Sequence, residues 1–139
     1  MRISFTGTRQ GMSPWQRQQF LFLLREIGGS MSTFSHGVCV GADVEAHAMV
    51  REVLGKRLFV AAFPSTAKTR ASMPHEECQS WARPKPPLER DKDIVDFGKD
   101  LLVAAPLQMS EVLRSGTWST VRYARRTRVP VKILWREQQ

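Results

Sequence analysis

Two stretches, RLFVAAF at 57–63 and DLLVAA at 100–105, are apolar without alternation. A strand with one wet face alternates between apolar and polar residues, whereas a strand covered on both faces reads as a continuous apolar run. Gly55 and Pro64 bound the first run, and Gly98 and Pro106 bound the second, so both read as short buried strands. Further strands are expected at Met1–Thr6 (MRISFT), Met31–Phe34 and Val129–Trp135. Helical patterns lie between them. Ser13-Pro14 has the form of an N-cap followed by proline at the first helical position, with Phe20, Leu21, Leu24 and Ile27 recurring at helical spacing until Gly28-Gly29. Asp43–Leu54 places Ala46, Met49, Val50 and Val53 on one side, Glu89–Phe97 is a short helix, and a last helix ends near Arg126. Strands alternating with helices predict an α/β fold: a Rossmann-like three-layer sandwich around a five-stranded, mostly parallel sheet, in one domain spanning residues 1–139.

One part resists the pattern. Residues 64–88 carry Pro64, Pro74, Pro84, Pro86 and Pro87, and read as irregular. A connection this long in a compact domain is a lid, a binding loop or a mobile segment.

Charge narrows the partners. The net charge is +8, from 21 Lys and Arg against 13 Asp and Glu. From Arg114 onward seven basic residues face one acid, Glu137. Such a field suits phosphorylated ligands or polyanions, and it also serves a solvated surface. Arg122, Arg125 and Arg126 fall at helical spacing on one face and are the nucleic-acid candidates. No apolar stretch reaches the length of a membrane span, and the start MRISFTGTRQG lacks the apolar core of a secretory signal, so a cytoplasmic protein without a membrane partner is expected. Cys39 and Cys78 stand apart from any metal-ligand spacing, and no metal or cofactor is expected. His36 and His75 show no partner in the sequence.

In an open parallel sheet, ligands sit beyond the carboxyl ends of the strands. Three loops there are rich in small or donor residues: Gly7-Thr8-Arg9 after the first strand, Gly41-Ala42-Asp43 opening the second helix, and Ser115-Gly116-Thr117 opening the last. Helix N-termini present unpaired N–H groups and the positive end of the dipole, which together form an anion site. Arg9 and Arg114 add charge. Asp43 has two readings, the cap of its own helix or an acceptor for a ribose hydroxyl. Thr117 either caps its helix or meets the ligand. Trp118 either packs or offers its ring to a base. Neither GxGxxG nor GxxxxGK[ST] occurs.

GTR after the first strand, GADVEAHAMV, LERDKDIVDFGKDLLVAAP and RSGTWSTVRYARRTRVPVKIL together resemble the SLOG superfamily. That group joins the DNA-processing protein DprA/Smf with the LONELY GUY cytokinin-activating enzymes, and the resemblance is greatest to small stand-alone bacterial or phage members. It covers most of the chain, least clearly 64–88. It implies a phosphate or nucleotide pocket between the three loops, a homodimer, and, in the DprA branch, single-stranded nucleic acid as a partner. In the LONELY GUY branch a GGxGTxxE motif and an upstream Arg cleave a base from a nucleoside monophosphate. Here Gly116-Thr117 keep the GT, but Thr120 stands where the Glu belongs. Arg90 matches the upstream Arg. Glu111 is either a surface acid or a substitute carboxylate. His47, in an AH that resembles the DprA branch, is either a core-edge residue or a pocket-side structural one.

Binding of a nucleotide or other phosphorylated ribose compound is therefore the first expectation. Single-stranded nucleic-acid binding through the last helix is the second, and an N-glycosidase (phosphoribohydrolase) activity using Arg90 and Glu111 is the third.

Overall fold

A computed structural model describes residues 1–138. Strands β1 (Arg2–Gly7), β2 (Thr33–His36), β3 (Phe59–Ala62), β4 (Ser80–Trp81), β5 (Leu101–Ala105) and β6 (Val131–Ile133) form one sheet in the order β4-β3-β2-β1-β5-β6. Every neighbouring pair is parallel. The α/β class is as expected, but the sheet has six strands rather than five.

The additional strand, β4, lies within the proline-rich stretch. The Gln79 N–H donates to Val60 O and the Ala82 N–H to Ala62 O, both at 2.9 Å, which joins these residues to the sheet as an edge. Two residues are too few to leave a periodic signal, and a short edge strand limits exposure of unpaired backbone. Elsewhere the ladders are shorter than the apolar runs: β3 begins at Phe59, not Arg57, and β6 spans three residues.

Helices α1 (Pro14–Ile27) and α2 (Ala42–Leu54) cover one face of the sheet, and α3 (Pro87–Phe97) and α4 (Gly116–Arg126) pack together on the other. β5 shows why its sequence does not alternate. Val103 and Ala105 pack into the core under α1 and α2, while Leu102 and Ala104 pack against α4. The first core centres on Phe5, Phe20 and Phe34, whose ring centroids lie 5.3–6.3 Å apart. The second is built from Val95, Trp118, Val121 and Ala124.

α1 starts on the expected Ser13 cap, which forms a reciprocal pair with Gln16. A cap of this type stabilises by about 1 kcal/mol. Gln16 does more: it is fully buried, and its Nε2 donates to Pro106 O at 2.8 Å and Leu134 O at 2.9 Å. One side chain thus fixes the chain just beyond β5 and β6. No helix among the described residues is long and apolar enough to cross a membrane.

Candidate functional site

Strand order reverses between β1 and β5. The chain steps outward from β1 through β2, β3 and β4, then returns to place β5 and β6 on the other side. At such a switch point the loops leaving two adjacent strands diverge and open a crevice. A cavity of about 790 Å³ occupies it, within the size range of small-molecule sites.

Gly7, Thr8, Arg9, Asp43, Arg90, Arg114, Ser115, Gly116 and Thr117, far apart in sequence, all line this cavity. Gly41, Ala42, Trp118 and Glu111 do not line it.

The three loops are not equivalent. The Thr8 N–H donates to Ala105 O, and Thr8 O accepts from Ala42 N–H, both at 3.0 Å. The first amide of α2, expected to face a ligand, is therefore committed to the β1 loop. A Cβ at Gly7 would lie 2.5 Å from Ala42 Cβ, and one at Gly41, where φ is +91°, would lie 2.3 Å from Arg9 O. These glycines let the β1 loop and α2 approach each other closely. Gly116 differs, because a Cβ there meets nothing within 4 Å. It opens α4 directly after the Ser115 cap, whose side chain accepts from Trp118 N–H. Gly116 therefore offers open space at a helix N-terminus.

Asp43 is buried and does not cap its own helix. Its Oδ2 accepts from the Gly37 N–H at 3.0 Å and the Cys39 N–H at 3.3 Å, holding the loop after β2. Burial pushes its carboxyl up to about 6, against the pull of Arg90 and the two amides. Arg90 is 6% exposed, and each of its three side-chain nitrogens donates a hydrogen bond. Nε donates to Asp91 Oδ1 at 2.8 Å, Nη1 to Gly37 O at 2.7 Å and to Phe63 O at 3.3 Å, and Nη2 to Cys39 Sγ at 3.4 Å. Arg90 pins the loops after β2 and β3 to α3. Its neighbour Asp91 also lines the cavity, and burial raises its carboxyl.

The expected catalytic pair does not assemble. Glu111 is exposed and pairs with Arg122 at 3.2 Å and Arg125 at 3.4 Å, outside the cavity. Thr120 is buried, with its hydroxyl donating to Gly116 O at 2.9 Å. Trp118 is 2% exposed and packs 6.0 Å from Trp135 in the second core, so its ring is not a platform for a base. The three arginines of α4 do not form one free basic face. Arg122 also donates to the carbonyls of Val112 and Leu113, which anchors the loop before α4. Arg125 turns to Glu111, and Arg126 lies over the Tyr123 ring at 5.9 Å.

Two features went unread in the sequence. Lys68 and Thr69, from the proline-rich stretch, form part of the cavity wall, as does Gln108 beyond β5. The first stretch carried one signal, its length, which left a lid, a binding loop and a mobile segment open. The second feature is a chain of hydrogen bonds that runs from the buried His36 and His47 out to the half-exposed Glu77. The Val38 N–H donates to His36 Nδ1, His36 Nε2 faces His47 Nδ1 at 3.0 Å, and His47 Nε2 faces Glu77 at 3.2 Å. With Nδ1 of His36 accepting, its proton sits on Nε2 and is donated to His47, whose own proton goes to Glu77. Cys78 brings its sulfur within 4.8 Å of both imidazoles. In this arrangement the Nδ1 atoms of both imidazoles accept hydrogen bonds, while the Cys78 thiol lies beside the chain and contacts Met73. The residue that these bonds support, Val38, has φ of +54°, a costly conformation for a β-branched side chain.

Solved structures share this architecture. TM1055, a structural-genomics target, superposes with a TM-score of 0.62 over 93% of this chain and 71% of its own, at 14% identity. DNA processing protein A from Helicobacter pylori gives a TM-score of 0.61 over 94% of this chain and 63% of its own, at 17% identity. The chain shares its overall fold with both proteins. That Helicobacter protein has been described for its single-stranded DNA binding mode. No family profile and no curated protein matches the sequence, so the likeness is one of fold.

Proposed function

We propose that the cavity at the β1–β5 switch point binds a nucleotide or another phosphorylated ribose compound. The observation that carries this reading is Gly116. It leaves unobstructed space at the N-terminus of α4, inside a cavity whose wall includes the cations Arg9, Lys68 and Arg114. A phosphate seated there gains backbone donors, the helix dipole and mobile positive charge together. Asp43 supplies a buried carboxylate on the same wall, suited to a ribose hydroxyl. Titration calorimetry with nucleoside monophosphates, ribose 5-phosphate and unphosphorylated nucleosides tests the reading. Phosphorylated compounds are expected to bind in the micromolar range and nucleosides at least tenfold more weakly. Absence of heat from every phosphorylated compound at millimolar concentration would sink it.

A second reading is single-stranded nucleic-acid contact outside the cavity. Arg125, Arg126, Arg128 and Lys132 are exposed in the last helix, the turn that follows it and the edge strand β6. It is secondary because Arg122 and Arg125 are already engaged with Glu111.

A further inference from the structure

Four side chains with metal-binding atoms meet away from the switch-point cavity, beneath the segment that joins β3 to β4. One nitrogen each of His36 and His47 and the sulfur of Cys78 lie within 4.8 Å of one another, and all three residues are buried. The Met73 sulfur stands 3.8 Å from that of Cys78. None of the four lines the cavity. No spacing rule joins them in sequence, because β2 carries His36, α2 carries His47, and the segment before β4 carries Met73 and Cys78. That segment is the outermost layer over the group: Ser72, Pro74, His75 and Glu76 are exposed and Met73 is half-buried, so the sulfurs lie one layer below solvent.

A thiol, a thioether and an imidazole are a soft donor set, and soft sulfur ligands select Cu(I). Metal–sulfur bonds of about 2.3 Å opened to a trigonal angle hold their sulfurs about 4 Å apart, close to the separation already present here. Charge favours a monovalent ion as well. Arg51 donates to Glu77 O at 2.7 Å and so brings a cation beside the group. One thiolate neutralises Cu(I), whereas a divalent ion would bury a positive charge next to Arg51. A metal-bound imidazole donates its other ring N–H to a carboxylate in most sites, and His47 Nε2 already faces Glu77 at 3.2 Å, which turns Nδ1 inward. His36 is not required as a ligand. Its Nδ1 stays on the Val38 N–H, and its Nε2 proton, given to His47 when no ion is bound, has the thiolate as an alternative acceptor.

We propose that His47 Nδ1, Cys78 Sγ and Met73 Sδ form a trigonal site for one Cu(I), with Glu77 orienting His47 and His36 donating to the thiolate. The thiol proton leaves to solvent as the ion binds, and the copper stays Cu(I), so no oxidant or reductant is consumed. The site is independent of the nucleotide reading of the cavity.

The test titrates the full chain, anaerobically and with ascorbate present, with Cu(I) held by the coloured chelator bicinchoninate. The wild type is expected to withdraw one equivalent of copper. Cys39→Ser should do the same, because the Cys39 sulfur lies against Arg90 and not in this group. Cys78→Ser and Met73→Leu are each expected to lose tenfold or more in affinity, while His36→Asn still takes up one equivalent. X-ray absorption of the wild-type complex needs no variant to fold, and is expected to show a three-coordinate Cu(I) with two sulfurs and one nitrogen. No copper withdrawn by the wild type would overturn the proposal. Uptake undiminished in Cys78→Ser, or a copper shell without sulfur, would overturn it too, as would tight binding of Zn(II) with none of Cu(I).

Discussion

His36 and Asp43 are buried a few residues apart, and burial acts on them in opposite directions. The His36 imidazole is pushed down to about 3, by burial first and then by the charges of His47, Arg51 and Arg90. The Asp43 carboxyl is pushed up to about 6. Below about pH 6.5 the unfolded chain protonates His36 while the folded chain refuses the proton until about pH 3. This group's stabilisation is therefore present above pH 6.5 and lost as the pH falls. Asp43 has the reverse sign: the folded state takes its proton first, near pH 6, so its contribution favours the fold on the acid side and is lost as the pH rises through 6. Each unmatched proton tilts the stability curve by about 1.4 kcal/mol per pH unit. In His36→Asn the amide oxygen takes over the Val38 N–H and the titration disappears. Relative to wild type, its unfolding free energy is expected to tilt toward acid by about that slope between pH 6 and 4, measured by urea denaturation. Parallel curves for the two proteins would show that His36 is not the group responsible. None of this was legible at residue scale. The sequence places two histidines eleven positions apart, but their meeting depends on β2 and α2 packing across a turn that has no periodic signature.

The elements themselves were largely legible, because their causes are local. Proline after a serine starts α1, glycine ends α2, and a run of apolar residues means a strand covered on both faces. What escaped were features set by pairing at a distance: β4, made by two residues on the sheet edge, and the joining of Lys68 and Thr69 to the cavity wall. The glycines show the same division. In sequence Gly7, Gly41 and Gly116 look alike, yet two are required by the chain itself and one is not. Gly41→Ala would place a methyl group 2.3 Å from Arg9 O at a φ of +91°. It is expected to cost on the order of 2 kcal/mol or more in denaturant unfolding. Gly116→Ala meets no obstacle in the fold and restricts the unfolded chain, so stability is expected to hold or to rise by about 0.4–1 kcal/mol. Its methyl group intrudes where the phosphate is proposed to approach, and nucleotide affinity should fall about tenfold. If Gly116→Ala binds nucleotides as the wild type does, the N-terminus of α4 is not the phosphate seat.

At the scale of the whole molecule, a charge of +8 is compatible both with a small anion in a crevice and with a polyanion laid across the surface. Fold likeness does not choose between them, because sites are grafted onto folds and the similarity to DNA processing protein A is one of architecture. Dependence on salt does choose. A mononucleotide neutralised by Arg9, Lys68 and Arg114 releases few counterions, and its affinity should change only modestly between 50 and 200 mM salt. Single-stranded DNA held by Arg125, Arg126 and Arg128 would lose affinity with a logarithmic slope of about −0.7 for each phosphate neutralised, or roughly −2 for three. The two sites are also separable by substitution, since none of these three arginines lines the switch-point cavity. Replacing all three with alanine is expected to abolish any oligonucleotide shift at low salt while leaving the nucleotide titration intact. Loss of both activities together would mean that the cavity and the basic end of α4 form one continuous binding surface. In that case a mononucleotide in the cavity would be one residue of a longer strand rather than a ligand in its own right.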